Sequence, residues 1–160
     1  MPDGEEVKDA RREDVPAMVA LSAKKRAEGE RAQPVFWRRA AGADEKQRAW
    51  FETVLARPGV VALVARSRGV IEGFLLSQET AAPPVYAPGG TTFAVDDFCV
   101  ASPDRWETTG RALLAEASRR VRALGAAQVV VVCGAHDAEK RALLRSVGLS
   151  VASEWYVGMP

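Results

Sequence analysis

Val100 to Leu114, reading VASPDRWETTGRALL, carries the chain from the end of an apolar strand, through a turn that closes on glycine, into a helix. Such a junction presents amides without intrahelical partners at the positive end of a helix dipole, and Arg105 adds a cation. The segment therefore has the make-up of an anion site. Its plainer reading is an ordinary helix start, with Ser102 as a capping hydroxyl and Pro103 where no N–H is required. Arg105, Glu107 and Thr108 are then the solvated first turns of a helix running to about Leu124.

Both readings place a strand before the turn and a helix after it. Thr92 to Val100 is that strand, and the helix carries Leu113, Leu114, Ala117, Val121 and Leu124 on one stripe before stopping at Gly125. Gln128 to Cys133, with Val129 to Val132 unbroken, reads as a strand buried on both faces, as expected of a parallel neighbour reached through a helical crossover. Thr92 to Cys133 is thus a strand-helix-strand unit.

Upstream, Val60 to Ala65 and Val70 to Ser77 flank Arg66-Ser67-Arg68-Gly69 and predict an antiparallel hairpin. Pro83, Pro84, Pro88, Gly89 and Gly90 predict an irregular, turn-rich loop. Val7 to Ala10 is a short strand, followed by a helix opened by Arg12-Glu13-Asp14 with Val15, Met18, Val19 and Ser22 on one face. Lys24 to Arg39, broken by Gly29 and Pro34, reads as a loop plus a short helix around Phe36 and Trp37. Asp44 to Ala56 is an amphipathic helix ended by Pro58-Gly59. Asp137 to Ser146 is a last helix that ends at Gly148, and Leu149 to Val157 is expected to close the chain as one or two strands.

The 160 residues fit a single domain, 1–160, around one core. With 22 Lys+Arg against 21 Asp+Glu and a net charge of +1, nothing points to a nucleic-acid surface, and a small partner is expected. No apolar run approaches the roughly 20 residues that span a bilayer, and MPDGEEVKDARRED is too charged for a signal peptide. The expectation is a cytoplasmic protein without membrane contact. Cys99 and Cys133 each end a strand-like run and read as reduced, buried thiols; with one histidine besides, zinc spacing is absent and no metal is expected.

The spacing Arg105-x-x-Thr108-x-Gly110 resembles the Arg/Gln-x-x-Gly-x-Gly/Ala pyrophosphate loop of the GCN5-related (GNAT) N-acetyltransferase superfamily. VKDARREDVPAM also looks like that family's first strand and helix, and RALLRSVGL like its last helix running into Gly-Leu/Phe. The resemblance covers nearly the whole chain. It implies an α/β fold: a mixed central sheet with antiparallel N-terminal strands and a parallel β-α-β unit that binds acetyl-CoA, flanked by helices.

The resemblance further implies that the pantetheine arm of acetyl-CoA bonds backbone groups at Phe98, Cys99 and Val100, beside Val131 to Cys133. It places Arg105, Trp106, Glu107, Thr108, Thr109, Gly110 and Arg111 around the pyrophosphate, chiefly through main-chain N–H groups. Thr108 stands where the family usually has its first glycine, and so lacks that residue's backbone freedom. Leu144 stands where the family often has a tyrosine that protonates the departing thiolate, and Leu cannot donate. Tyr86, Tyr156 and His136 are the other candidate donors, although a strand tyrosine more often packs with its hydroxyl at the surface. His136 can relay protons near neutral pH or simply be solvated. Asp137 is an N-cap, leaving Lys140 and Arg141 free to meet CoA phosphates.

Asp96 and Asp97 are adjacent on a strand, so at most one faces a given site. That one could act as general base for a substrate ammonium, while the alternative is a solvated or loop-bonding carboxylate. By the same resemblance the acceptor side is built from Leu21 to Trp50 and Ala81 to Thr91, whose mixed charges and aromatics exclude little. Trp37, Trp50 and Trp155 read as core or cleft lining. Together these readings imply an acetyl-CoA-dependent N-acetyltransferase that passes the acetyl group directly to a small-molecule or peptide amine, and they leave a homodimer open. The alternative is a degenerate domain that binds CoA or another ligand without turnover, as a sensor or assembly module.

Overall fold

In the computed structural model, which describes residues 4–160, five strands form one sheet in the spatial order in which they occur along the chain. They are β1 (Glu5–Asp9), β2 (Val61–Ser67), β3 (Val70–Thr80), β4 (Thr91–Val100) and β5 (Ala126–Val131). The first three pairings are antiparallel and the last, β4 with β5, is parallel. The β2–β3 hairpin turns on Arg68 and Gly69 alone, both at positive φ (50° and 79°), the backbone that matches strand twist in a two-residue loop.

Helices α1 (Val15–Ala32) and α2 (Ala43–Val54) cover one face of the sheet, and α3 (Arg111–Ala123) and α4 (Ala138–Ser146) cover the other. On the first face Met18, Phe51 and Val54 pack against Val64, Phe74 and Cys99. On the second, Leu113, Leu114, Val121 and Leu143 pack against Leu63, Leu75, Val95 and Phe98. This is the expected α/β architecture, a mixed sheet flanked by helices.

Three local expectations are corrected. Gly29 does not break α1, which runs on to Ala32; it is buried, and a Cβ there would lie 3.3 Å from the Trp37 ring. The glycine serves a close helix-to-indole contact, and Phe36 and Trp37 form one turn, closed by Trp37 N–H to Gln33 O at 3.0 Å, instead of a helix. The strand at Val129 to Val132 is not buried on both faces: Val129 and Val131 pack on the α3–α4 core, while Val130 and Val132, on the opposite face, are exposed because the α1–α2 core does not extend over β5. Leu149 to Val157 forms no strand. Its apolar residues alternate, yet a strand exists only where a neighbour completes the ladder. After Leu149 N–H bonds Leu144 O at 3.0 Å, the chain runs on outside the sheet with Val151, Trp155 and Tyr156 exposed, and Trp155 rests edge-on against Phe36 at 5.9 Å.

Between β4 and α3 the chain makes a 3-10 turn (Pro103–Arg105) and then a five-residue π-helical turn (Trp106–Gly110). Gly110 allows that widened turn to close on Trp106, since a Cβ would lie 2.6 Å from the indole Cε3 and 3.1 Å from Leu143 Cδ2. Gly110→Ala is therefore expected to cost about 1–3 kcal/mol by overpacking. Urea denaturation checks this through a lower midpoint at unchanged slope.

Candidate functional site

Regular pairing of β4 with β5 stops at Val95 opposite Val131, with a last bond from Val132 N–H to Val95 O at 2.9 Å. On the other side of β4, Leu75 opposes Phe98 and Ser77 opposes Val95, so Asp96 and Asp97 together face Leu76. One extra residue on one strand is a β-bulge, which bends that strand and re-aims its side chains. The bulge shifts the alternation: Val95 and Phe98, three residues apart, both face α3, and Cys99 faces α1. It also sits where β4 and β5 part, leaving the β5-facing backbone of Phe98 to Val100 outside the parallel ladder.

Asp97 is the half-buried member of the acidic pair, and Asp96 is exposed. The Asp97 carboxylate accepts from the indole N–H of Trp50 at 3.4 Å. Burial raises its pKa above the ordinary carboxylate value, the Lys25 ammonium opposes that, and the neighbouring Asp96 charge adds to it. Lys25 is held in place by donating to the Asp96 carbonyl at 3.2 Å.

Lys140 lies against Phe98 of β4, and here the structure corrects the sequence. The residue does not reach out to phosphates; it is 1% exposed, and its Nζ donates to the Phe98 carbonyl at 3.3 Å. The ammonium lies 5.1 Å from the centroid of the Phe98 ring and 5.2 Å from that of Trp106. Burial, with Lys25 repulsion second, lowers its pKa to about 8. Burial likewise raises the thiol pKa of Cys99 and of Cys133. Leu144, one turn further along α4, is buried in the core beside α3.

The turn after β4 divides its residues. Trp106, Thr109 and Gly110 are buried, with Trp106 edge-on to Phe98 at 4.9 Å and the Thr109 hydroxyl donating to the Glu5 carboxylate. The Trp106 and Thr109 side chains belong to the core, so at these three positions only the backbone could serve a ligand. Glu107 and Thr108 are exposed. Arg105 pairs with Glu72 at 3.6 Å, and Arg111 pairs with Glu107 and donates to Ser146 Oγ at 2.8 Å, so an anion at the turn has to compete with these carboxylates.

Asp137 caps α4, accepting from Lys140 N–H at 3.2 Å. Arg141 donates to the Ala135 carbonyl. His136 is exposed and lies edge-on to Trp37 at 5.2 Å. Tyr156 is 89% exposed on the C-terminal tail, its hydroxyl donating to Glu154 at 2.8 Å, and Tyr86 is exposed as well; neither enters the gap.

On the α1–α2 side, reached from Asp97 through Trp50, is an open surface hollow of about 390 Å³ whose lining includes Arg26, Trp37, Arg38, Arg39, Lys46 and Trp50. Trp50 belongs both to this cavity and to the Asp97 hydrogen bond. Sequence reasoning missed the bulge, the burial of Lys140 and the Trp50–Asp97 contact. Two consecutive aspartates inside a strand were the available sign of a bulge, since aspartate is depleted in regular strands.

The bulge, the point where β4 and β5 part, the turn after β4 and the Trp50 hollow all adjoin the C-terminal half of β4. No family model matches the chain, and no curated protein sequence matches it. Solved structures do. A GCN5-related N-acetyltransferase from Ralstonia eutropha is 17% identical, with a TM-score of 0.76 over 98% of this chain and 99% of that one. A predicted acetyltransferase from Clostridium acetobutylicum, solved with acetyl-CoA, is 13% identical, with a TM-score of 0.74 over 97% of this chain and 96% of that one. An aminoglycoside N-acetyltransferase in complex with CoA is 12% identical, with a TM-score of 0.74 over 100% of this chain and 98% of that one. The chain has the fold of the GCN5-related N-acetyltransferases.

Proposed function

We propose that this protein is an acetyl-CoA-dependent N-acetyltransferase that passes the acetyl group directly to a primary amine. The observation that carries the reading is Asp97, a half-buried carboxylate at the β4 bulge, bonded to Trp50 of the cavity on one side and adjoining the β4–β5 gap on the other. The backbone of Phe98 to Val100 and the turn amides with Arg105 are the groups that would hold the cofactor. Acetyl-CoA supplies an activated acyl carbon and a thiolate leaving group.

The protein's own residues then manage two protons. A substrate amine enters as an ammonium, and Asp97 Oδ takes its proton; a carboxyl with a raised pKa is a stronger base than an ordinary one. Lys140 Nζ holds a second proton at the Phe98 carbonyl, one turn of α4 from Leu144, which cannot supply one. Its pKa of about 8 lies close to the roughly 8.5 of an ordinary thiol, so a departing thiolate would take that proton at nearly balanced free energy, and the second proton that the nitrogen loses on becoming an amide would pass to solvent. Binding without turnover is the second reading, favoured by Leu144 and by Nζ already bonded to the Phe98 carbonyl.

Ligand binding tests both readings together. CoA or acetyl-CoA at about 100 times its Kd is expected to stabilise the fold by about 2.7 kcal/mol and raise the melting temperature. Arg105→Ala should weaken binding roughly tenfold, equivalent to about 1.4 kcal/mol, by removing a phosphate partner. A melting transition unmoved by millimolar CoA overturns both readings.

A further inference from the structure

We infer that the acceptor amine carries an anionic group, a carboxylate or a phosphate, seated on Arg38 and Lys46. This rests on the acetyltransferase reading and narrows it. The hollow reached from Asp97 through Trp50 is lined by four cations, Arg26, Arg38, Arg39 and Lys46, and by no acidic residue. Two of the cations are already engaged: Arg26 with Asp44 at 3.1 Å and Gln47 at 3.1 Å, and Arg39 with Glu30 at 3.9 Å. Arg38 and Lys46 have no acidic partner among the described residues.

The excess is local, because the chain as a whole carries only +1. Arg57 adds to it, its guanidinium lying 5.1 Å from the centroid of the Trp50 ring on which the cavity borders. A concave site lined by one sign of charge concentrates ligands of the other sign. Trp50 joins the two halves of the recognition, since its ring lines the cavity and its N–H reaches Asp97. An amine placed at Asp97 therefore directs the rest of its molecule over the indole toward Arg38 and Lys46. An anionic tail completes that arrangement. A polyamine would set ammonium groups against guanidinium groups.

The test is a matched panel with acetyl-CoA: an α-amino acid and its methyl ester, an amino-alcohol phosphate and its dephosphorylated form, and a linear polyamine. Free thiol and acetylated product are followed for each. At least one anionic member is expected to exceed its neutral counterpart by about tenfold or more in kcat/KM, and the pair that shows it separates carboxylate from phosphate recognition. A double substitution, Arg38→Ala with Lys46→Ala, should raise KM for that anionic member about tenfold while leaving kcat and the neutral counterpart unchanged. Both positions are exposed, so the fold is retained. Equal or better use of the neutral counterpart in both pairs, or better use of the polyamine than of either anionic member, overturns the inference, as does an unmoved KM in the double variant. Should no amine turn over, calorimetric titration of the same panel onto CoA-loaded protein decides: selective binding of an anionic member, lost in the double variant, upholds the inference while the transferase reading fails, and no selective binding overturns the inference.

Discussion

Asp97→Asn is expected to lower turnover by about 10²-fold or more while leaving CoA affinity intact, and Asp96→Asn to leave turnover near that of the wild type. The asymmetry follows from the bulge, which leaves one carboxylate half-buried against Trp50 and the other in solvent. In the wild type the rate should climb as pH rises through the raised Asp97 pKa, because only the ionised carboxylate takes a proton; Asp97→Asn removes that limb. Stability moves the other way. Between the ordinary carboxylate pKa and the raised native one, the native state binds more protons than the unfolded state, so stability falls as pH rises across that window. Steady-state kinetics across pH, with CoA titrations on the same samples, check the assignment. Equal rates for both aspartate variants would remove Asp97 from the mechanism.

Lys140 gives the second large effect, and it can be read without any substrate. Its pKa is about 8 in the native state against an ordinary 10.5. Between those values the unfolded chain binds the extra proton, so stability should rise with pH, by about 3 kcal/mol over the whole interval. Lys140→Met keeps an unbranched side chain of similar length and removes the charge. Its stability relative to wild type should therefore fall by about 3 kcal/mol as pH rises from below 8 to above 10.5. The Phe98 carbonyl loses its donor in the variant, a roughly constant cost of about 1–3 kcal/mol that does not alter the slope. Urea denaturation of both proteins across this range measures the difference. Parallel curves would mean that Lys140 is not buried as a cation.

The legible parts of the sequence were those where local chemistry and tertiary packing agree. The stripe Leu113, Leu114, Ala117 and Val121 built α3, and Gly125 ended it at a φ of 92°. The runs around Arg68-Gly69 gave the hairpin, and the unbroken valines after Gln128 gave the parallel strand, although its outer face is solvent-exposed. Where a residue's role is set by a distant neighbour, the sequence carried little. Gly29 reads as a breaker until Trp37 packs on it, and Lys140 reads as a surface cation until α4 lays it against Phe98 and Trp106. Leu149 to Val157, expected to close the chain as one or two strands, found no ladder partner. The same holds for the candidate site. The turn at Arg105 was visible as a motif, whereas the Trp50–Asp97 contact joins residues 47 apart and the basic cavity is gathered from two helices and their connection.

The most direct test of the account incubates the protein with acetyl-CoA and anionic amines, following free thiol and the mass of the amine product in wild type and Asp97→Asn. The account predicts thiol release above the rate in buffer, in step with one acetyl group gained per amine, and loss of both by about 10²-fold in the variant. CoA binding with no thiol release on any amine would contradict it and leave a domain that binds without turnover.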